Sequence, residues 1–107
     1  MVHQSIQPLL PDIITLFKRH KITSAYLFGS VLTDSFNDQS DVDFLVNIQE
    51  DLDPAEIGGH LWDLTYELED LLKRPIDLLT ERSLKNPYFV KEVNDTKFPI
   101  YGLSISE

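Results

Sequence analysis

The chain contains no cysteine, which excludes disulfides, thiolate catalysis and cysteine-ligated zinc or iron–sulfur centres. No apolar run approaches the roughly 20 residues needed to span a bilayer. The opening MVHQSIQPLLPD has neither the basic start nor the long apolar region of a secretion signal. A cytoplasmic protein with no membrane attachment is expected. Positive charge is also scarce: 9 Lys+Arg stand against 18 Asp+Glu, for a net charge of −9. Between positions 34 and 70 there are 12 acidic residues and no Lys or Arg. Long nucleic acids are bound mainly by neutralising phosphates with Lys and Arg, so extended nucleic-acid binding by this chain alone is not expected. A basic protein partner suits the charge better, and an acidic surface also serves solubility.

What remains is enough for one folded unit. The 107 residues, 42% of them hydrophobic, predict a single domain over 1–107 with its own core. Leu10, Ile13, Ile14 and Phe17 recur at helical spacing within a first helix over 8–20, whose ordered turns begin near Pro11. Its basic end, Lys18-Arg19-His20-Lys21, suits the negative pole of the helix, which accounts for His20 without catalysis. A strand is expected over 22–28, then a short helical start over 30–33, a polar loop over 34–40 and a second strand over 41–48. Asp53, Pro54 and Glu56 read as a capping box opening a long helix to about Leu72. Ile57, Leu61, Leu64, Leu68 and Leu71 form its buried stripe, widened by Trp62 and Leu72. Gly58-Gly59 suggests close packing against a neighbour. A third strand over 76–80, a helix opened by Asn86-Pro87 and running to about Val93, and a last strand over 98–101 complete the order. The fold class is α/β (α+β), a mixed sheet of three to four strands flanked by helices.

Chemistry gathers in the stretch 26–48. An apolar strand ends in Gly29-Ser30, and ten residues later Asp41-Val42-Asp43 opens the next apolar strand. Side chains two apart on a strand share a face, so Asp41 and Asp43 project together, away from Val42, Phe44, Val46 and Ile48. Paired anions repel and resist desolvation, and a divalent cation with oxygen ligands is the usual remedy. If the third strand lies beside the second, Asp77 reaches the same face. Three carboxylates there would suit two divalent ions and phosphoryl or nucleotidyl transfer. Gly29 lets a backbone approach phosphate, and the Ser30 hydroxyl with nearby N–H groups can hold its oxygens. Asp-x-Asp or Gly-Ser alone is an ordinary surface feature; their combination at this spacing is what points to a site. His3, His20 and His60 read as structural or solvated. Trp62, Tyr66 and the C-terminal aromatics read as core rather than nucleotide-stacking groups.

Gly29-Ser30, ten residues and Asp41-Val42-Asp43 resemble the GS-x10-DxD signature of the DNA polymerase beta-type nucleotidyltransferase superfamily. The short length and the ending NPYFVKEVNDTKFPIY are similar to the minimal nucleotidyltransferases (MNT), the antitoxin halves of HEPN/MNT toxin–antitoxin pairs. That resemblance implies ATP or another NTP as donor and two Mg2+ ions as cofactor. It implies Asp41 and Asp43 as metal ligands and catalytic residues, with Asp77 as the third carboxylate near the attacking hydroxyl. Gly29 and Ser30 would bind the nucleotide. It further implies a HEPN toxin partner, inactivated by transfer of AMP to a tyrosine, within a homo- or hetero-oligomer. One departure stands out. The family continues after Gly-Ser with a basic, small, basic, glycine pattern, whereas this chain has Val31, Leu32, Thr33 and Asp34. Each charge-assisted phosphate contact contributes about 1.5–3 kcal/mol, and Arg74 and Arg82 are the replacements available elsewhere. The alternative expectation is therefore a catalytically weakened binding module that neutralises a basic partner by contact.

Overall fold

A computed structural model of the chain describes residues 3–102. After a short 3-10 turn at Gln7–Leu9, helix α1 spans Leu10–Arg19. Strand β1 (Ile22–Phe28) leads into a 3-10 turn at Gly29–Leu32, and strand β2 covers Val42–Ile48. Helix α2 (Pro54–Leu72) precedes strand β3 (Ile76–Thr80), a turn at Glu81–Ser83, helix α3 (Pro87–Thr96) and strand β4 (Phe98–Tyr101). The strands form one mixed sheet in the order β3-β2-β1-β4. β1 is antiparallel to both β2 and β4, whereas β2 and β3 run parallel, as their crossover through α2 requires.

The alternation of β2 divides the core between two faces. Val42, Phe44, Val46 and Ile48 point towards α1 and α2, where they join Ile13, Phe17, Leu64, Leu68 and Leu72 in the main cluster. Phe17 and Phe44 meet edge to face with ring centroids 5.8 Å apart. Leu45 points to the other face, where it packs with Phe28 and with Val93 of α3. Each fully buried side chain of this kind contributes roughly 1.5–3 kcal/mol. α3 covers only part of its face, and the uncovered part carries Asp43.

Several local expectations change. Asp53 sits in the extended N-cap conformation, but its side chain makes no capping hydrogen bond, so the capping box does not form. The helix start relies instead on Pro54 and the first-turn Glu56. Asn86, by contrast, caps α3 by accepting from the N–H groups of Tyr88 and Phe89 at 2.9 and 3.2 Å. Gly58 and Gly59 have nothing within 4 Å of an added Cβ, so no neighbour packs against them. α2 fully buries side chains from Leu64 onward, while Ile57 and Leu61 of its earlier turns pack half-buried against the core. Trp62 and Tyr66 remain 66% and 58% exposed, so neither is a core residue. His20 is structural, as expected, but buried. Its ring contacts His60 Nδ1 at 3.0 Å and Glu67 Oε1 at 2.9 Å, tying the end of α1 to α2.

Candidate active site

The site forms where three neighbouring strands present residues at one level. Phe28 is the register partner of Asp43, and Asp43 is the register partner of Asp77. The parallel pairing of β2 with β3 therefore sets two carboxylates side by side, one per strand. Asp41 lies just before β2 and is exposed, as is Asp77, while Asp43 is partly buried. Burial, then the charge of Asp77, then that of Asp41 push the Asp43 carboxyl up from 3.8 to about 6. No hydrogen bond or salt bridge reaches the three carboxylate side chains among the described residues. Also among these residues, no three His, Cys, Asp or Glu side chains stand close enough together to hold a metal ion as placed. Mutual repulsion and the solvation of Asp41 and Asp77 favour this spread arrangement. The donor set still suits a hard divalent cation: all-oxygen, anionic and free of competing Lys or Arg partners.

Gly29 has two separate reasons to be glycine. Its φ of +78° lies in the left-handed region, and a Cβ there would press against Asp43 Oδ2. The turn that follows is closed by Thr33, whose N–H and hydroxyl both donate to the Ser30 carbonyl at 2.9 Å. The Ser30 hydroxyl makes no hydrogen bond among the described residues. Val31 is buried in the core, so this position of the usual basic pattern is taken up by packing.

A cleft of about 630 Å³ opens beside this turn, with Gly29, Thr33, Asp43, Phe89, Glu92 and Phe98 among its walls. Its size suits a nucleotide-scale ligand. No Lys or Arg lines it. Arg74, one candidate replacement cation, is committed elsewhere. Its Nη1 donates to the carbonyls of Asn37 at 2.8 Å and Ser40 at 3.0 Å, and its guanidinium lies 4.4 Å over the Phe36 ring. It clamps the loop ahead of Asp41. Arg82 is exposed in the turn after β3. Phe89, Glu92 and Phe98 were not anticipated as site residues. Their signal was present in part: positions 89, 92, 93 and 96 share one face of α3, and this face both anchors the helix and lines the cleft.

The chain matches the family model described as "Polymerase beta, Nucleotidyltransferase" over residues 11–104. It is 31% identical over 80 residues to a Methanocaldococcus jannaschii protein provisionally named a protein adenylyltransferase, covering 75% of this chain and 78% of that one. Among solved structures, a toxin–antitoxin complex with AMP-PNP matches with a TM-score of 0.69 and 26% identity, over 87% of this chain and 73% of that one. A tri-AMPylated Shewanella oneidensis HEPN toxin in complex with MNT antitoxin matches with a TM-score of 0.65 and 25% identity, over 92% and 73%. A provisionally named minimal nucleotidyltransferase gives 0.71 and 26%, over 92% and 96%.

Proposed function

Because the chain belongs to the polymerase beta nucleotidyltransferase family, we propose that it transfers AMP from ATP to a hydroxyl of a partner protein. The acceptor in this reading is a tyrosine of a HEPN-type toxin in the cytoplasm, and the chain is its antitoxin. The observation that carries it is the Asp43–Asp77 register pair, of which Asp43 lines a nucleotide-sized cleft. The cleft's apolar wall of Phe28, Phe89 and Phe98 suits a base, and the Gly29–Leu32 turn with the Ser30 hydroxyl suits phosphate oxygens. Two Mg2+ ions, when held by Asp41, Asp43 and Asp77, would supply Lewis-acid polarisation and neutralise pyrophosphate charge. The acceptor oxygen forms a bond to the α-phosphorus, the bond from that phosphorus to the α–β bridging oxygen breaks, and pyrophosphate leaves. Asp77, exposed at the edge of the sheet, takes the hydroxyl proton on a carboxylate oxygen.

A direct test incubates the protein with the product of the adjacent gene, ATP and magnesium, and maps modified residues by mass spectrometry. AMP on a tyrosine supports the reading; an unmodified partner rejects it. One observation favours a second reading, neutralisation by contact alone: the cleft has no Lys or Arg in its walls. In that case Asp41→Asn/Asp43→Asn would protect cells from the partner as well as the wild type does.

A further inference from the structure

The register pair sits between two concavities, with both carboxylates on one face of the sheet. Asp43 lines the cleft beside Gly29, whereas Asp77 lines a separate groove of about 390 Å³ between α2 and β3, together with Trp62, Tyr66, Glu69 and Leu78. If the first holds the nucleotide, the second is where an acceptor arrives. We propose that this groove is a docking track for an extended, basic segment of the acceptor protein. The segment adds as a strand to the free edge of β3, anchors side chains of one face on Trp62 and Tyr66, and turns its hydroxyl on the other face to Asp77. This inference rests on the reading that the acceptor is a protein.

Three observations select that occupant. First, among the described residues β3 is an edge strand paired only with β2. The Pro75 carbonyl accepts from Val42 N–H, so strand alternation turns the backbone groups of Ile76 and Leu78 outward. β3 has no internal proline, lysine or bulge, the usual protections of an exposed edge. Second, Trp62 and Tyr66 stack edge to face with centroids 5.4 Å apart while 66% and 58% exposed. Exposed aromatics beside an open strand edge provide anchoring area for a polypeptide. Third, the groove's charged lining is Glu69 and Asp77 alone. The nearby Lys73 is paired with Asp70 at 3.4 Å, so the charge complement must come from the ligand.

The test uses a fluorescein-labelled peptide of alternating lysine and valine around a central tyrosine, with binding followed by anisotropy in the absence of ATP. Three changes should each weaken binding by about tenfold or more: Trp62→Ala/Tyr66→Ala in the protein, glutamate for lysine in the peptide, and N-methylation of alternate peptide nitrogens. No saturable binding by the wild-type protein, or indifference to any of the three changes, overturns the track. So does loss of a dimer in Trp62→Ala/Tyr66→Ala by sedimentation, which would make the patch a contact between copies of this chain. AMP transfer to a partner that persists undiminished in Trp62→Ala/Tyr66→Ala overturns the track while leaving the proposed activity standing. Peptide binding without transfer to any partner overturns the activity instead.

Discussion

Asp43 and Asp77 are register partners on adjacent parallel strands, so the backbone pairing itself sets two carboxylates side by side. The arrangement is costly: burial and two like charges hold the Asp43 carboxyl at about 6, against 3.8 in the absence of these effects. The folded chain therefore binds the Asp43 proton more tightly than the unfolded chain. Between about pH 4 and 6 the folded state carries more protons, and its stability falls as pH rises through this window. Above it the full penalty is present. Asp43→Asn should remove the penalty and stabilise the protein at pH 7 by about 1–2 kcal/mol, a value reduced for partial exposure. Thermal melts across pH 3.5–8 check this. The substitution should raise the melting temperature at neutral pH and flatten the slope between pH 4 and 6, whereas an unchanged slope contradicts the assignment.

Magnesium should act on the same charges. If Asp41, Asp43 and Asp77 hold the ion, it binds the folded state selectively and stabilises it by mass action. The melting temperature of the wild type should rise with millimolar MgCl2, and that of Asp41→Asn/Asp43→Asn should not. Equal shifts in both would assign the effect to general screening.

Gly29 couples backbone and site. Gly29→Ala faces a left-handed φ of +78° and an obstructing Asp43 carboxylate. Left-handed strain alone costs about 1–2 kcal/mol, and the Asp43 obstruction adds to it. A double-mutant cycle with Asp43→Ala separates the two terms in urea melts. The cost of Gly29→Ala should shrink in the Asp43→Ala background, and full additivity would contradict the proposed contact.

Arg74 holds the loop before Asp41 through two carbonyls and the Phe36 ring. Arg74→Ala should destabilise the protein by about 1–3 kcal/mol and speed amide exchange over 34–41. Arg74→Lys should rescue only part of the loss, since an ammonium can donate to two carbonyls as Nη1 does but cannot lay a planar guanidinium over the Phe36 ring. Hydrogen exchange that is unchanged over this loop would refute the role.

Thr33 is exposed and lines the cleft where the family pattern carries its second basic residue. Thr33→Arg should restore a charge-assisted phosphate contact and tighten ATP binding by about tenfold or more. Val31 offers no such route because it is buried in the core. Calorimetric titration with a non-hydrolysable ATP analogue measures the gain, and unchanged affinity would show that phosphate does not approach this turn.

The parts of the fold that the sequence reveals are the locally encoded ones. Ile22–Phe28, Ile76–Thr80 and Phe98–Tyr101 appear as expected because branched and aromatic runs end at Gly29 or begin after Pro75. That Asp77 meets Asp43 was conditional on the third strand lying beside the second, which the parallel pairing of β2 with β3 supplies. Trp62 departs from the core reading because it stands one position off the Leu61, Leu64 and Leu68 stripe, beside the open edge of β3. Gly58-Gly59 lies between the half-buried Ile57 and Leu61, with open space around an added Cβ at either glycine. The roles of Arg74 and His20 lay beyond sequence reading altogether, because their partners are more than 30 residues away along the chain. The cleft wall on α3 was half visible: Val93 is buried, as an apolar residue of this helix should be, whereas Phe89 is 37% exposed and the face they share opens onto a ligand-sized space.

The central claim is nucleotidyl transfer that depends on the paired carboxylates. The most direct measurement supplies the protein and its gene-neighbour partner with ATP labelled at either the α- or the γ-phosphate, in the presence of magnesium. Label from the α-position alone should become covalently attached to the partner, and Asp41→Asn/Asp43→Asn should lose at least about a hundredfold of the rate, as expected when catalytic carboxylates are neutralised. Attachment of the γ-label, absence of both labels, or equal transfer by the double variant would contradict the account.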